Sequence, residues 1–391
     1  METHLTWNPP SGPPPARLRG LAAAQALLDL ADVRIGGHRP WDLQIHHPDT
    51  LEHILARGSL GLGESYMAGW WDCVQIDEFM ARVLQARLDQ QVGRPGLLLA
   101  MLRARWMNLQ SVSRAWHVGR QHYDLGNDLY EAMLDPWMAY SCGYWAQAQS
   151  LEQAQTAKLD LVCRKLGLQP GMRLLDIGCG WGSLMRFAAE HYGVECVGLT
   201  VSREQAGWAA AHARGLPVRF EFTDYRLFNP DGAQQFDRVA SIGMFEHVGH
   251  KNYRSYFDMV RRSLRPDGLF LLHTIGKNRS GLGIDPWIEK HIFPNGVLPS
   301  VAELAAASEA DFIVEDWHNF GADYDRTLMA WHARFEAAWP RLKTRYGHRF
   351  YRMWRYYLLS CAGTFRARDN QLWQVVLSPR GVRAGYRRPL L

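Results

Sequence analysis

The chain has 391 residues, of which about 47% are apolar and 21% charged, a length that suggests two or three domains. That composition describes a globular chain with ample core material and excludes a mostly disordered one. The net charge of +5 conceals an asymmetry: beyond Glu336 the only acid is Asp369 against twelve Lys and Arg, while residues 90–123 carry no acid but hold Arg94, Arg103, Arg105, Arg114 and Arg120. A basic face matched to an apolar one attracts an anionic membrane surface or a nucleic-acid backbone, although an ordinary solvated helix face reads as well for either stretch alone.

Residues 1–16, rich in proline, read as a disordered tail, and residues 17–92 as a small mixed domain. Within it, residues 21–30 form a helix. Gln25 and Asp29 interrupt that helix and the proline run precedes it, so it is not a targeting segment. Residues 33–45 suggest a hairpin around Gly36 and Gly37, and Asp49 caps a helix through Leu55. GLGESYMAGWWD reads as a Gly-rich turn with aromatic anchors, followed by a helix over residues 77–88. Residues 93–122 then read as a basic amphipathic linker helix.

From residue 123 a catalytic domain is expected, and its grammar is α/β. RLLDIG, VECVGL, VRFEF, FDRVASIG, LFLLHTI, FIVEDW and LWQVVLS are seven short apolar strands, most of them separated by helical stretches. Pro266-Asp267-Gly268 marks the turn into the fifth. The alternation predicts a doubly wound, mostly parallel seven-stranded sheet. Helical material from Tyr324 to about Phe365 falls between the last two strands, where an insertion of that size shapes a substrate lid.

LLDIGCGWG is the sharpest motif. A strand ends at Asp176, Gly178 and Gly180 let the backbone approach a ligand, and Gly182 lets the next helix pack on the sheet. The third glycine comes one residue too soon for a dinucleotide fingerprint, and the second strand ends in Leu199-Thr200 without an acid for a ribose. Asp176 suits the cationic methionine end of S-adenosylmethionine, and Asp224 is placed to meet the adenine side. The six cysteines (Cys73, Cys142, Cys163, Cys179, Cys196, Cys361) are scattered, so neither a disulfide framework nor a metal site is expected, and a reducing compartment is the natural setting. No apolar run is long enough to span a bilayer. The 16 Trp, 15 Tyr and 15 Phe suggest an apolar substrate or cavity, though thick cores use aromatics too.

The segments GESYMAGWWD, QHYDLGNDLYEAMLD, MAYSCGYW, LLDIGCGWG, GLTVSREQ, FTDYR, SIGMFEHVG, LLHTIG, FGADYDRTLMAW and FRARDNQLWQVV resemble the cyclopropane-fatty-acid-phospholipid synthases, relatives of the mycolic-acid cyclopropane synthases. The resemblance runs from about Gly63 to about Val376. It implies the S-adenosylmethionine-dependent methyltransferase fold and transfer of a methylene group to the cis double bond of an unsaturated phospholipid acyl chain. It further implies a homodimer working in the cytoplasm at the inner face of the membrane, with no nucleic acid as partner. Carried onto this sequence, Tyr140 and Ser141 lie against the cofactor and residues 178–182 hold its methionine part. Thr200 and Gln205 stand in for the missing ribose acid, and Tyr225 and Arg226 flank the adenine. The family's base is a bound bicarbonate, whose ligands map onto Cys142, Glu246, His273, the backbone of Ile275, and Tyr324. Cys361 matches a cysteine once favoured as nucleophile. No His lies near it in sequence and alkene methylation needs no protein nucleophile, so a structural role is preferred.

Read from the residues alone, Glu246 follows a strand at the carboxyl edge where such sheets bind ligands. His273, inside an apolar strand, would more often be a hydrogen-bonded core residue, and Tyr324 and Cys142 read equally as packing. Three rival functions compete, one of them a non-enzymatic membrane-binding module, which would not require an intact cofactor loop. A lipid methyltransferase leaving a methyl branch would share the cofactor loop. A nucleic-acid methyltransferase would carry N/D-P-P-Y/F after the fourth strand or a Pro-Cys nucleophile, and this sequence has neither.

Overall fold

The computed structural model describes residues 21–88, 126–281 and 283–389. The expected tail over 1–16 and the linker helix over 93–122 lie outside them.

The N-terminal unit holds α1 (Leu21–Asp29), β1 (Gln44–Ile45), α2 (Thr50–Met67), β2 (Trp71–Asp72) and α3 (Ile76–Gln85). The expected hairpin around Gly36 is not formed; a single bridge joins Ile35 to Leu43, and β1 pairs antiparallel with β2. The cause is Asp42, whose carboxylate accepts from the backbone N–H groups of Arg34 and Arg39 and from the Arg39 guanidinium, replacing a cross-strand ladder. The expected Gly-rich turn is also corrected. Asp49 does precede a helix, but α2 runs past Leu55 to Met67, kinked at Gly58 (φ 58°), and takes in GLGESYM. Gly63 serves close packing: a Cβ there would lie 2.3 Å from the Trp287 ring.

All seven expected strands form: β3 (Arg173–Ile177), β4 (Glu195–Thr200), β5 (Val218–Phe222), β6 (Phe236–Ile242), β7 (Leu264–Lys277), β8 (Ile313–Asn319) and β9 (Asn370–Ser378). Their order is β5-β4-β3-β6-β7-β9-β8, parallel except that β9 runs antiparallel to both neighbours. The turn expected at Pro266-Asp267-Gly268 is instead an irregularity inside β7, where the register against β6 jumps from Leu264 to Leu269. Helices α4 (Asn127–Met133), α5 (Leu151–Lys165), α6 (Ser183–Tyr192), α7 (Arg203–His212), α8 (Tyr253–Ser263), α9 (Pro286–His291) and α10 (Val301–Ser308) complete the layers. The strand centres are buried on both faces, as continuous apolar runs in a parallel sheet require.

The helical insertion expected between the last two strands is α11 (Ala322–Arg366), broken at Gly347 (φ 75°), where the chain folds back on itself. Asp325 thereby meets Arg366, Tyr324 stacks near Phe365 with ring centroids 4.6 Å apart, and Glu336 accepts from the Tyr351 hydroxyl. This doubled helix shares one core with the N-terminal unit, in which Tyr66, Trp71 and Phe79 pack with Trp354, Tyr356 and Phe365. Arg352 donates to the carbonyls of Tyr66 and Trp71 and to Asp72, and Arg366 pairs with Asp77 at 2.7 Å. Much of the C-terminal basic excess is therefore matched by acids elsewhere in the chain: Arg345 meets Asp128 and Arg388 meets Asp316 in the same way.

Candidate active site

At the carboxyl ends of β3, β4 and β6 lies a cavity lined by Tyr140, Ser141, Lys158, Asp176, Gly178, Gly180, Thr200, Gln205, Asp224, Tyr225 and His247, among others. The residues themselves singled out Asp176, Gly178, Gly180 and Asp224, and the family resemblance added Tyr140, Ser141, Thr200, Gln205 and Tyr225. Gly178 has φ +80°, and a Cβ there would sit 2.6 Å from Met244, so the turn after β3 admits no side chain. Gly182 also has φ +74° and packs against Phe220 at the start of α6, behind the cavity rather than in its wall. The Thr200 hydroxyl meets Gln205 Oε1 at 3.5 Å, a weak contact that puts two neutral polar groups where a dinucleotide site would hold an acid.

Arg226 is not part of the lining. Its guanidinium clamps Asp224 through Nε at 2.8 Å and Nη2 at 2.6 Å, while Asp224 itself and Tyr225 face the cavity. The resemblance placed Arg226 beside the adenine; the geometry makes it the support of the residue that faces that end.

Asp176 is 3% exposed at the centre of the sheet, and burial pushes its carboxyl up to about 7 despite the opposing field of Lys158. Lys158 is fully buried in turn and is held down to about 8 by desolvation, against the pull of Asp135, Cys142 and Asp176. Its ammonium donates to Ser141 Oγ at 2.9 Å.

Behind Tyr140 and Ser141 lies a second, drier group. Cys142 is completely buried with Phe320 and Leu372, against Ile275 and Tyr324. The Ile275 N–H donates to Glu246 Oε1 at 2.7 Å, and Glu246 Oε2 is buried without a hydrogen-bond partner. Desolvation raises the Glu246 carboxyl to about 7, with the Ile275 N–H and the Thr274 hydroxyl opposing. His273 is 1% exposed on β7; its Nδ1 meets the Gln374 amide at 3.2 Å and its Nε2 has no partner. Burial, with Lys158 and Lys165 nearby, keeps that imidazole neutral. The Tyr324 hydroxyl is pushed well up by burial, with the fields of Cys142, Tyr140, Glu246 and Cys361 adding to it.

The walls between the two groups are aromatic. The Tyr140 hydroxyl bonds that of Tyr357 at 2.8 Å, and its ring lies 5.1 Å from Trp331 and 5.2 Å from Tyr130. Cys361 faces this region from α11, but desolvation pushes its thiol up to about 12, which is unsuited to a thiolate nucleophile.

Sequence reading missed Lys158, Gln155 and His247. Gln155 and Lys158 stand three apart on the buried face of α5 among Leu151, Ala154, Leu159 and Val162, so a polar pair interrupting an apolar helical stripe was the available signal. His247 lines the cavity, and burial pushes it down to about 4.

Comparison with known proteins agrees with this geometry. A family model described as mycolic acid cyclopropane synthetase matches residues 110–375. The cyclopropane-fatty-acyl-phospholipid synthase of Escherichia coli is 56% identical over 367 residues, 93% of this chain and 94% of that one. Cyclopropane mycolic acid synthase 2 of Mycobacterium leprae is 38% identical over 66% of this chain and 92% of its own. Among solved structures, a mycolic acid cyclopropane synthase complexed with SAH and CTAB superposes with a TM-score of 0.63 at 34% identity, covering 67% of this chain and 97% of that one. A coclaurine N-methyltransferase at 23% identity shares the fold, with a TM-score of 0.67. The sheet is thus that of an S-adenosylmethionine-dependent methyltransferase, and the chain belongs to the cyclopropane synthase family.

Proposed function

We propose that the chain converts the cis double bond of an unsaturated phospholipid acyl chain into a cyclopropane ring, with S-adenosylmethionine as the one-carbon donor. The observation that carries this reading is adjacency. The cavity at Asp176, Thr200 and Gln205 meets, through Tyr140 and Ser141, the dry group of Cys142, Glu246, His273, Ile275 and Tyr324.

S-adenosylmethionine supplies an electrophilic methyl on a sulfonium. An alkene is a poor nucleophile, so the protein has nothing to deprotonate before transfer, and its first task is to align the two and exclude water. Transfer leaves a cation on the acyl chain, and closing the ring requires loss of a proton from the added methyl. The rings of Tyr140, Trp331 and Tyr324 suit a desolvated cation, which aromatic faces stabilise.

The buried group fits a small anion such as bicarbonate. Glu246 Oε2 and His273 Nε2 are buried without hydrogen-bond partners; Ile275, bonded to Glu246, clusters with Cys142, Tyr324 and Phe320, and the Phe320 ring lies 5.9 Å from that of His273. With the Gln374 amide donating to Nδ1, the neutral imidazole carries its hydrogen on Nε2 and turns a donor into the group. A Glu246 carboxyl near 7 can keep its proton and donate rather than repel. When bound, bicarbonate would supply a base that cannot itself be tethered covalently to the cation, as a side-chain carboxylate could.

A phospholipid double bond lies inside a bilayer, so the chain meets its substrate at the membrane surface. No described helix is long and apolar enough to cross a membrane. The test is incubation with S-adenosylmethionine and vesicles of a cis-unsaturated phospholipid, followed by mass analysis of the acyl chains. The expected product is heavier by one methylene and lacks the double bond; unchanged acyl chains would overturn the reading.

A further inference from the structure

We infer that Lys158 is a positioning residue for S-adenosylmethionine: it keeps Asp176 ionised and pins the Tyr140–Ser141 segment beside it. The inference rests on reading the cavity as the S-adenosylmethionine site.

Lys158 lies on α5, outside the glycine turn and outside the buried group around Glu246, yet its side chain reaches both. Its Nζ donates to Ser141 Oγ at 2.9 Å, it lines the same cavity as Asp176, and it interacts electrostatically with Asp176, Asp135 and Cys142. One turn earlier on the same face, the Gln155 amide donates to the carbonyls of Ala139 at 3.3 Å and Ser141 at 2.8 Å. Asp135 holds the start of the same segment, accepting from the N–H groups of Trp137 and Ala139, both at 2.9 Å. The segment 135–141 is therefore folded at its start by Asp135 and held to α5 through Ala139 and Ser141, with the ammonium at the end next to the cavity.

A fully buried lysine without such a task would be costly, since an unpaired ammonium in a dry interior is destabilising. Here its field acts on a carboxylate that must be negative to meet the ligand's ammonium. The groups facing Asp176 are Lys158, Cys179, Cys196 and Tyr256, and burial keeps the two thiols and the phenol neutral. Those facing Lys158 are Asp135, Cys142, Asp176 and His273; the thiol and the imidazole are neutral, and burial raises Asp135. With Asp176 already near 7, losing the ammonium moves its ionisation above neutrality.

The test measures S-adenosylmethionine binding by titration calorimetry, without lipid, between about pH 6 and pH 8.5. It uses wild type, Lys158→Met, Lys158→Arg, Asp176→Asn and the Lys158→Met/Asp176→Asn double variant. Methionine matches the length of lysine and removes the charge; arginine keeps the charge. A rise of about one pH unit takes a group half ionised at pH 7 to about a tenth ionised, so Lys158→Met should bind about five-fold more weakly there and recover as the pH rises. Lys158→Arg should keep the wild-type pH profile, and Lys158→Met should add little in the Asp176→Asn background. The ligand's own amine titrates identically in every arm and cancels. An unchanged pH profile in Lys158→Met, or an equal loss with and without Asp176, would overturn the inference. Should Lys158→Met not fold, the double variant, which leaves neither charge of the pair, and Lys158→Arg still decide it. Failure of the wild type to bind S-adenosylmethionine at all would instead overturn the reading of the cavity, and the inference with it.

Discussion

The backbone N–H of Ile275 donates to Oε1 of Glu246 at 2.7 Å, so a carboxyl carried by the one-turn helix after β6 is fixed by the end of β7. Its other oxygen is buried without a partner. Gln at this position keeps the shape and the bond from Ile275 but can neither ionise nor carry an acidic proton. Glu246→Gln should lower turnover by at least roughly 100-fold, a usual scale for losing a general acid–base arrangement, with S-adenosylmethionine affinity little changed. Steady-state rates on vesicles together with calorimetric binding check this, and near-normal turnover would remove Glu246 from the mechanism.

The same carboxyl makes stability depend on pH in a known direction. Glu246 ionises at about 7 in the folded chain against 4.5 ordinarily. A folded pKa above the unfolded one means the native state holds the proton more tightly. Its contribution is therefore full below the unfolded value and is lost as pH rises through about 7. Relative to wild type, Glu246→Gln should gain stability between about pH 4.5 and pH 8, by on the order of 3 kcal/mol at the upper end. Asp176, also raised to about 7, adds a loss of the same sign. Denaturant midpoints measured across that window give the answer; a constant difference would show that the Glu246 carboxyl is not raised.

Cys361 is the candidate residue that the structure favours least as a nucleophile. Burial and the field of Asp285 hold its thiol near 12, so it stays protonated. Cys361→Ser should keep most of the wild-type turnover, and a loss as deep as that of Glu246→Gln would restore a chemical role.

The sheet was legible in the sequence because its strands are short apolar runs punctuated by Gly, Pro and Asp, and period and punctuation agree there. The N-terminal unit was not. Asp42 takes up donors that a hairpin ladder would have used, and Gly61 and Gly63 read as turn residues although close packing is what removes their side chains. The cofactor loop could be read from Asp176 and its glycines, whereas the buried group around Glu246 needed the family resemblance. His273 and Cys142 look like core residues in any local window, and only the β6–β7 pairing brings Ile275 to Glu246. Lys158 showed in the sequence only as a polar break in the apolar stripe of α5, because its partners, Ser141 and Asp176, come from elements that only tertiary packing brings to that helix.

Gly63 offers a test of how the N-terminal unit reaches the site. A Cβ there would lie 2.3 Å from Trp287, which cannot easily yield because Tyr356 packs edge-on to it at 4.6 Å. Trp287 belongs to α9, and the segment after α9 returns to the site: Pro294 and Asn295 line the cavity, and the Val297 N–H donates to the Glu246 carbonyl at 2.8 Å. Gly63→Ala should cost about 1–3 kcal/mol, as overpacking does, and should lower turnover on vesicles more than it weakens S-adenosylmethionine binding. Thermal melts, rates and calorimetry on the one variant separate these effects. Equal losses of turnover and binding would show that Gly63 acts only on overall stability.

The last prediction separates a ring from a branch. In both cases methyl transfer leaves a cation on the acyl chain. If a base then takes a proton from the added methyl and the ring closes, that carbon keeps two of its three hydrogens; a branch keeps all three when the cation is instead discharged by loss of a proton from the acyl chain itself. Ile275, bonded to Glu246, packs in one dry cluster with Cys142 and Tyr324 next to Ser141 of the cavity, and a base held there would take the proton of the added methyl. With a donor whose methyl carries three deuteriums, the acyl product should therefore retain two of them and no double bond. Mass analysis of the released acyl chains reads both at once, and retention of all three deuteriums would mean a branched product from the same cofactor site.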